Sequence, residues 1–194
     1  MGLLTVAIFT ALFDANVLYS IAVTDIVMEL AATGLFAARW SAGIHAEWVR
    51  HVIQDRADLS LQQIERRRDQ MDAAVPQALV TGYEPLIAGL KLPDPGDRHV
   101  LAAAITGRAD VIVTFNLKDF PEAALAPYEI EVLHPDEFLN HQRTLNEPLF
   151  LRCVKTIRGR LSRPKYTPEA YIHHLRNSKL QIVAAELEKA KALI

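Results

Sequence analysis

Cysteine is almost missing from this chain: Cys153 stands alone among 194 residues. That excludes an intrachain disulfide framework and a cysteine-built zinc site, and it fits a reducing, cytoplasmic setting. No lysine or arginine precedes Arg39. The formal net charge is only −2, so the overall charge points to neither nucleic acid nor an anionic membrane. Such a partner would have to meet a local cluster. No histidine pair has metal-ligand spacing except His173 and His174, which as neighbours on a helix would point apart. Repeats and low-complexity tracts are also absent. The longest apolar run, at the N-terminus, lacks a basic flank and is interrupted by Asp14, so it reads as neither a signal peptide nor a membrane span.

What is present is an apolar majority of 51%, enough for one substantial core and too much for a disordered chain. Val6–Phe13 reads as a first strand, with residues 1–9 in part an extension ahead of it. Val17–Thr33 carries apolar residues at helical spacing and stops at Gly34. Trp40–Arg56 repeats that pattern, and Ser60 caps a third helix over LQQIERRRDQM. Residues 78–83 suit a short strand. Pro93, Pro95 and Gly96 force a loop, which leads into a helix from Asp97 to Gly107 and a strand over Val111–Thr114. Ile130–Leu133 is a further strand. Strands alternating with helices predict an α/β sandwich with a mostly parallel sheet. Beyond Pro135 the pattern is helical only, over 136–145, 149–161, 168–176 and 180–193. The expected division is therefore a first domain over 1–135 and a helical extension over 136–194.

Asp14 arrives abruptly where a buried strand ends, and an unpartnered carboxylate there would cost several kcal/mol or take up a proton. Ligands of open α/β sheets gather at the carboxyl ends of strands. Asp14, Asn116 and Asp119 share that edge. Chain direction alone would put Asp97, ahead of the helix that feeds the strand, at the far edge unless its loop reaches across. Each acid also has a bland account. Asp14 and Asp119 can start turns, Asp97 can cap a helix, and Glu47 can lie on the flank of its helix and reach water. Several carboxylates in one cleft nevertheless repel one another unless a cation or a proton is shared. An all-oxygen set suits Mg²⁺ or Mn²⁺ rather than zinc. Thr114 and Ser20 lie next to these acids, though local backbone bonds are the expected use of their hydroxyls.

Three stretches together carry a family resemblance: FDANVLYS with Asp14, then Glu47 in the helix after Trp40 and Ser41, then DPGDRHVLAAAITGRADVIVTFNLKDFP. Over residues 10–135 the sequence resembles the PIN-domain nucleases, in particular VapC-type toxins of toxin–antitoxin pairs. The tail resembles an extra C-terminal helical module of one subgroup. The resemblance implies a PIN-like three-layer sandwich and a Mg²⁺-dependent (or Mn²⁺-dependent) endoribonuclease. Its catalytic acids would be Asp14, Glu47, Asp97 and Asp119, with Asp14, Asp97, Asn116 and Asp119 as metal ligands. Where many members carry a fourth aspartate, Asn116 stands here. That departure sustains a rival reading, an inactive PIN-fold module that binds RNA or protein. RNA is the implied substrate and an antitoxin the implied partner, a homodimer stays open, and no membrane is involved. The acid-free run with Arg152, Lys155, Arg158 and Arg160 is the candidate RNA guide, ahead of Arg66, Arg67 and Arg68. A phosphotransferase that uses a second aspartate two residues after Asp14 is disfavoured, because Asn16 stands there.

Overall fold

A computed structural model describes residues 8–194. The expected β-run over Val6 and Ala7, and most of the extension ahead of it, lies outside the described residues. The chain forms β1 (Thr10–Phe13), α1 (Ala15–Tyr19), α2 (Ile21–Ala32), β2 (Ala37–Ser41), α3 (Ala42–Asp55), α4 (Leu61–Ala74), β3 (Leu79–Val80) and α5 (Glu84–Ile87). It continues through α6 (Arg98–Thr106), β4 (Val111–Val113), α7 (Glu122–Leu125) and β5 (Glu131–Leu133), and ends in α8 (Pro135–Leu145), α9 (Glu147–Arg160), α10 (Pro168–Asn177) and α11 (Gln181–Lys189).

All five strands are parallel, in the order β3-β2-β1-β4-β5. Every residue of β1 and β4 is buried, so both faces of the central sheet are covered by helices, as parallel sheets require. The sheet grows from β1 towards β3 on one side and then resumes at β4 on the other. The crevice between the carboxyl ends of β1 and β4 is thus the topological switch point, where α/β sheets bind ligands.

Several local expectations are corrected. Trp40 and Ser41 belong to β2, where Leu12 pairs with Arg39, and not to the helix that follows. The helix expected over Val17–Thr33 is two helices. Ser20 adopts extended backbone between them and ends α1, while its carbonyl accepts the first bond of α2 from Thr24. Gly34, at φ +77°, fills the left-handed position after α2 that glycine tolerates. Ser60 and Gln63 form a capping box at the start of α4. No described helix is long and apolar enough to cross a membrane.

The C-terminal helices continue the core. Phe138 of α8 lies edge-on to both Phe13 of β1 and Phe36, at centroid distances of 5.5 and 5.0 Å. α9 packs on α2, and Arg160 at its end reaches Glu29 at 2.6 Å. Buried Asp136 ties α8 to α11 by accepting hydrogen bonds from the Ile182 and Val183 amides at 2.7 and 2.9 Å.

Candidate active site

Asp14 ends β1 and caps α1, and the hydrogen bonds it accepts fix its position. Its backbone amide continues the β1–β4 ladder by donating to the Val113 carbonyl at 3.1 Å. One carboxylate oxygen accepts from the Ala15 amide at 2.6 Å. The other accepts from the Thr114 hydroxyl at 2.7 Å and from the Asn16 side-chain amide at 2.6 Å. Asn16 also donates to the Thr114 oxygen and accepts from the Phe115 amide, stitching the ends of β1 and β4 together. Burial pushes the Asp14 carboxyl up, against the lowering effect of the Thr114 and Ala15 bonds, and Glu47 raises it further. The Thr114 hydroxyl thus donates to Asp14 while its oxygen accepts from the local Asn116 amide at 3.0 Å, so it serves both the carboxylate and the expected backbone group. Ser20 makes no side-chain cap bond at the start of α2.

Glu47 faces the cluster from α3, with its carboxylate 3.3 Å from Nε2 of His99. The hydrogen bond from His99 is the main reason the Glu47 carboxyl is held below its ordinary value. His99 sits in the first turn of α6, and its buried Nδ1 has no hydrogen-bond partner. α3 approaches closely at Gly43, where a Cβ would come within 2.9 Å of the Tyr83 hydroxyl and 3.2 Å of His99 Nδ1.

Asp97 joins the same group, which corrects its assignment to the far edge. A helix that connects parallel strands runs antiparallel to them, so the N-terminus of α6 faces the carboxyl edge of the sheet. Its side chain makes no cap bond. Asp94 instead accepts from the Gly96 amide and shapes the turn. Burial first, then the charges of Asp14, Asp94, Asp119 and Glu47, push the Asp97 carboxyl up to about 6. Asp119 enters through the short turn Leu117–Asp119 after β4, and exposed Asn116 precedes it, its amide bound to Thr114.

Among the described residues no three His, Cys, Asp or Glu side chains are gathered closely enough to hold a metal ion as they stand. The charge crowding is nonetheless of a kind that a bound cation would relieve. Five acids, Asp14, Glu47, Asp94, Asp97 and Asp119, share one field, oxygen is the donor type they offer, and Asp97 is raised by burial first and by the charges of the others after that. The set fits a hard divalent ion.

A cleft of about 550 Å³ opens beside this group, bordered by Asn16, Asn116, His51 and Phe115 and, from the C-terminal helices, by Lys179. The Lys179 ammonium lies 5.3 Å from the centre of the Phe115 ring. The four basic residues expected to guide RNA do not border this cleft. Arg158 donates to the Tyr166 carbonyl and Arg160 pairs with Glu29, while Arg152 and Lys155 are exposed on α9. Arg67 is also structural: it bonds the Leu18 carbonyl and lies over Trp48. Sequence reasoning missed Asn16 and His99. The first was discounted for lacking a carboxylate. The second could have been found two residues after Asp97, within the first turn of the helix that follows it.

A family model described as "PIN domain" matches residues 10–118, and one described as "VapC50 C-terminal domain" matches residues 135–189. Among curated proteins, the chain is similar to one named "Putative ribonuclease VapC50" from Mycobacterium tuberculosis. The two are 42% identical over 107 residues, which make up 55% of this chain and 63% of that protein. The chain thus spans less than two thirds of the length of that relative. No solved structure matches it.

Proposed function

This chain belongs to the PIN-domain family, with a C-terminal domain of the VapC50 type, and on that premise we propose that it is a metal-dependent endoribonuclease and the toxin of a toxin–antitoxin pair. One observation carries the reading: Asp14, Glu47, Asp97 and Asp119 share a field at the switch point between β1 and β4, with Asp14 held by Thr114 and Asn16. The name of the M. tuberculosis relative supports the same substrate class.

Asp14 and Asp97, with Asn116 and Asp119, would hold Mg²⁺ or Mn²⁺. Such an ion, when bound, would neutralise carboxylate and phosphate charge and make a water easier to deprotonate. The residues supply the rest. Thr114 and Asn16 keep the Asp14 oxygens fixed. Glu47, anionic because His99 stabilises it, accepts the proton of the attacking water, and Asp119 orients that water. Water oxygen bonds to phosphorus as the bond to the 3′ oxygen breaks, and the departing 3′ oxygen takes a proton from solvent water, leaving 5′-phosphate and 3′-hydroxyl ends. An antitoxin would be the partner that restrains this activity.

The test is cleavage of a synthetic RNA. Wild type should cut in Mg²⁺ and stop in EDTA, and Asp14→Asn and Asp97→Asn should each lower the rate at least a hundredfold and relieve growth arrest on expression. Cleavage that persists through chelation would overturn the metal assignment. Wild-type rates in either variant would overturn the site.

A further inference from the structure

A second cleft, of about 890 Å³, opens between the start of α2, the α3–α4 pair and the turn joining α9 to α10. A volume of that order suits a small ligand. It lies outside the acid cluster and adjoins the smaller cleft that holds Asn16 and Asn116, since Tyr19, Ser20 and Ser178 border both.

One buried polar group on its wall lacks the partner that burial normally brings, and a second, partly buried, carries a charge. Tyr171 is 1% exposed and its hydroxyl has no hydrogen-bond partner. Asp25 of α2 is desolvated enough that burial pushes its carboxyl up, despite the opposing charges of Arg67, Arg160 and His174. Yet it takes part in no hydrogen bond or ion pair among the described residues. Burial raises the Tyr171 hydroxyl most, and the Asp25 charge on the same cleft wall raises it further. Asp25 and Tyr171 both line the cleft.

The surroundings narrow the ligand. Among the described residues Arg163 borders the cleft without an ion pair, whereas Arg67 is bonded to Leu18 and Thr24 and Arg56 and Arg160 are held by Asp58 and Glu29. A cationic peptide side chain could satisfy Asp25 but would meet this positive rim. A nucleotide meets it with phosphate. The half-buried Tyr166 ring, 5.4 Å from that of His174, offers an aromatic face of the kind on which bases stack. A carboxylate accepts two parallel N–H bonds best. Among the four RNA bases only guanine carries two adjacent donors, N1–H and the 2-amino group, with a carbonyl acceptor beside them. Adenine and cytosine set a ring-nitrogen acceptor next to their amino group, and uracil flanks one N–H with two carbonyls.

We propose that this cleft is a guanine subsite of the RNA substrate, with the Asp25 carboxylate accepting from the N1 and 2-amino groups and Tyr171 completing the polar contacts. The proposal rests on the reading of RNA as substrate and adds a sequence preference to it.

Calorimetric titration of the full chain in EDTA with 5′-GMP, AMP, CMP and UMP needs no cleavage. GMP is expected to bind at least tenfold tighter than the other three. Asp25→Asn should reduce that preference below twofold, and Tyr171→Phe should weaken GMP several-fold at an unchanged melting temperature. Asp14→Asn, altered in the acid cluster, should leave GMP binding intact. No preference among the nucleotides, or one that survives Asp25→Asn, would overturn the subsite. Tighter binding of N-acetylarginine amide than of GMP would assign the cleft to a peptide and overturn it equally. RNA cleavage without GMP preference removes the subsite alone. Asp25-dependent GMP binding without RNA cleavage removes the nuclease reading and leaves a nucleotide site.

Discussion

At the scale of single residues, the acids were legible and their supports were not. Asp14, Glu47 and Asp97 stand out in the sequence because each interrupts or flanks an apolar pattern. The groups that position Asp14 are Thr114 and Asn16, and Thr114 is separated from the other two by 100 and 98 residues. No local pattern joins residues so far apart. The strain among the acids has a measurable consequence at Asp97. Its carboxyl has a folded pKa of about 6 against an ordinary value of about 4 in the unfolded chain. A raised folded pKa means that the fold disfavours the charged form. The stability linked to this group is therefore fully present below about pH 4 and is lost as pH rises through about 6. Asp97→Asn removes the loss. In EDTA at pH 7.5 the variant should be more stable by about 1 to 2 kcal/mol, a figure reduced because the group is half exposed to screening solvent. Near pH 4 the two proteins should melt together. Thermal melts at both pH values check this, and a gap of the same size at each would show that charge is not its source.

At the scale of elements, sequence periodicity found the helices and misplaced short boundaries. β2 was missed because AARWS carries Arg39 and Trp40 without clear alternation. What makes it a strand is its pairing with β1 on one side and β3 on the other, which is tertiary information. The break at Ser20 was hidden for a similar reason, since α1 and α2 share one continuous apolar pattern. The start of α11 shows the opposite case, an element held by a distant side chain. Leu180 offers no cap, and Asp136, 46 and 47 residues away, accepts from the Ile182 and Val183 amides instead. Asp136→Ala leaves two amides of that first turn unpaired, one buried and one part-buried, and should cost about 2 to 3 kcal/mol. Asp136→Asn keeps one acceptor and should cost about half as much. Urea melts of the three proteins measure the series, and an Ala variant as stable as wild type would mean that water replaces Asp136 freely.

At the scale of the whole molecule, the question is whether residues 136–194 form a unit that folds apart from the sheet. Composition suggested a division, because strands stop where the run of helices begins, and the two family models match on either side of it. The packing argues for a single cooperative unit. Phe138 lies against Phe13 of the central strand, α9 covers α2, and the Arg160–Glu29 pair crosses the same seam. Both tryptophans, Trp40 and Trp48, lie in the sheet half and are fully buried, so their fluorescence reports that half. Leu187 is fully buried in α11, at the other end of the chain. Leu187→Ala should cost about 2 to 4 kcal/mol through lost burial and the cavity left behind. If the molecule is one unit, that loss must appear in full in the tryptophan signal, with fluorescence and far-ultraviolet circular dichroism shifting to the same lower urea midpoint. If the helices fold independently, dichroism acquires an early separate step while the tryptophan midpoint stays at its wild-type value. The continuous aromatic contact between Phe138 and β1 makes the first outcome the expected one, and an unmoved tryptophan midpoint in Leu187→Ala would refute it.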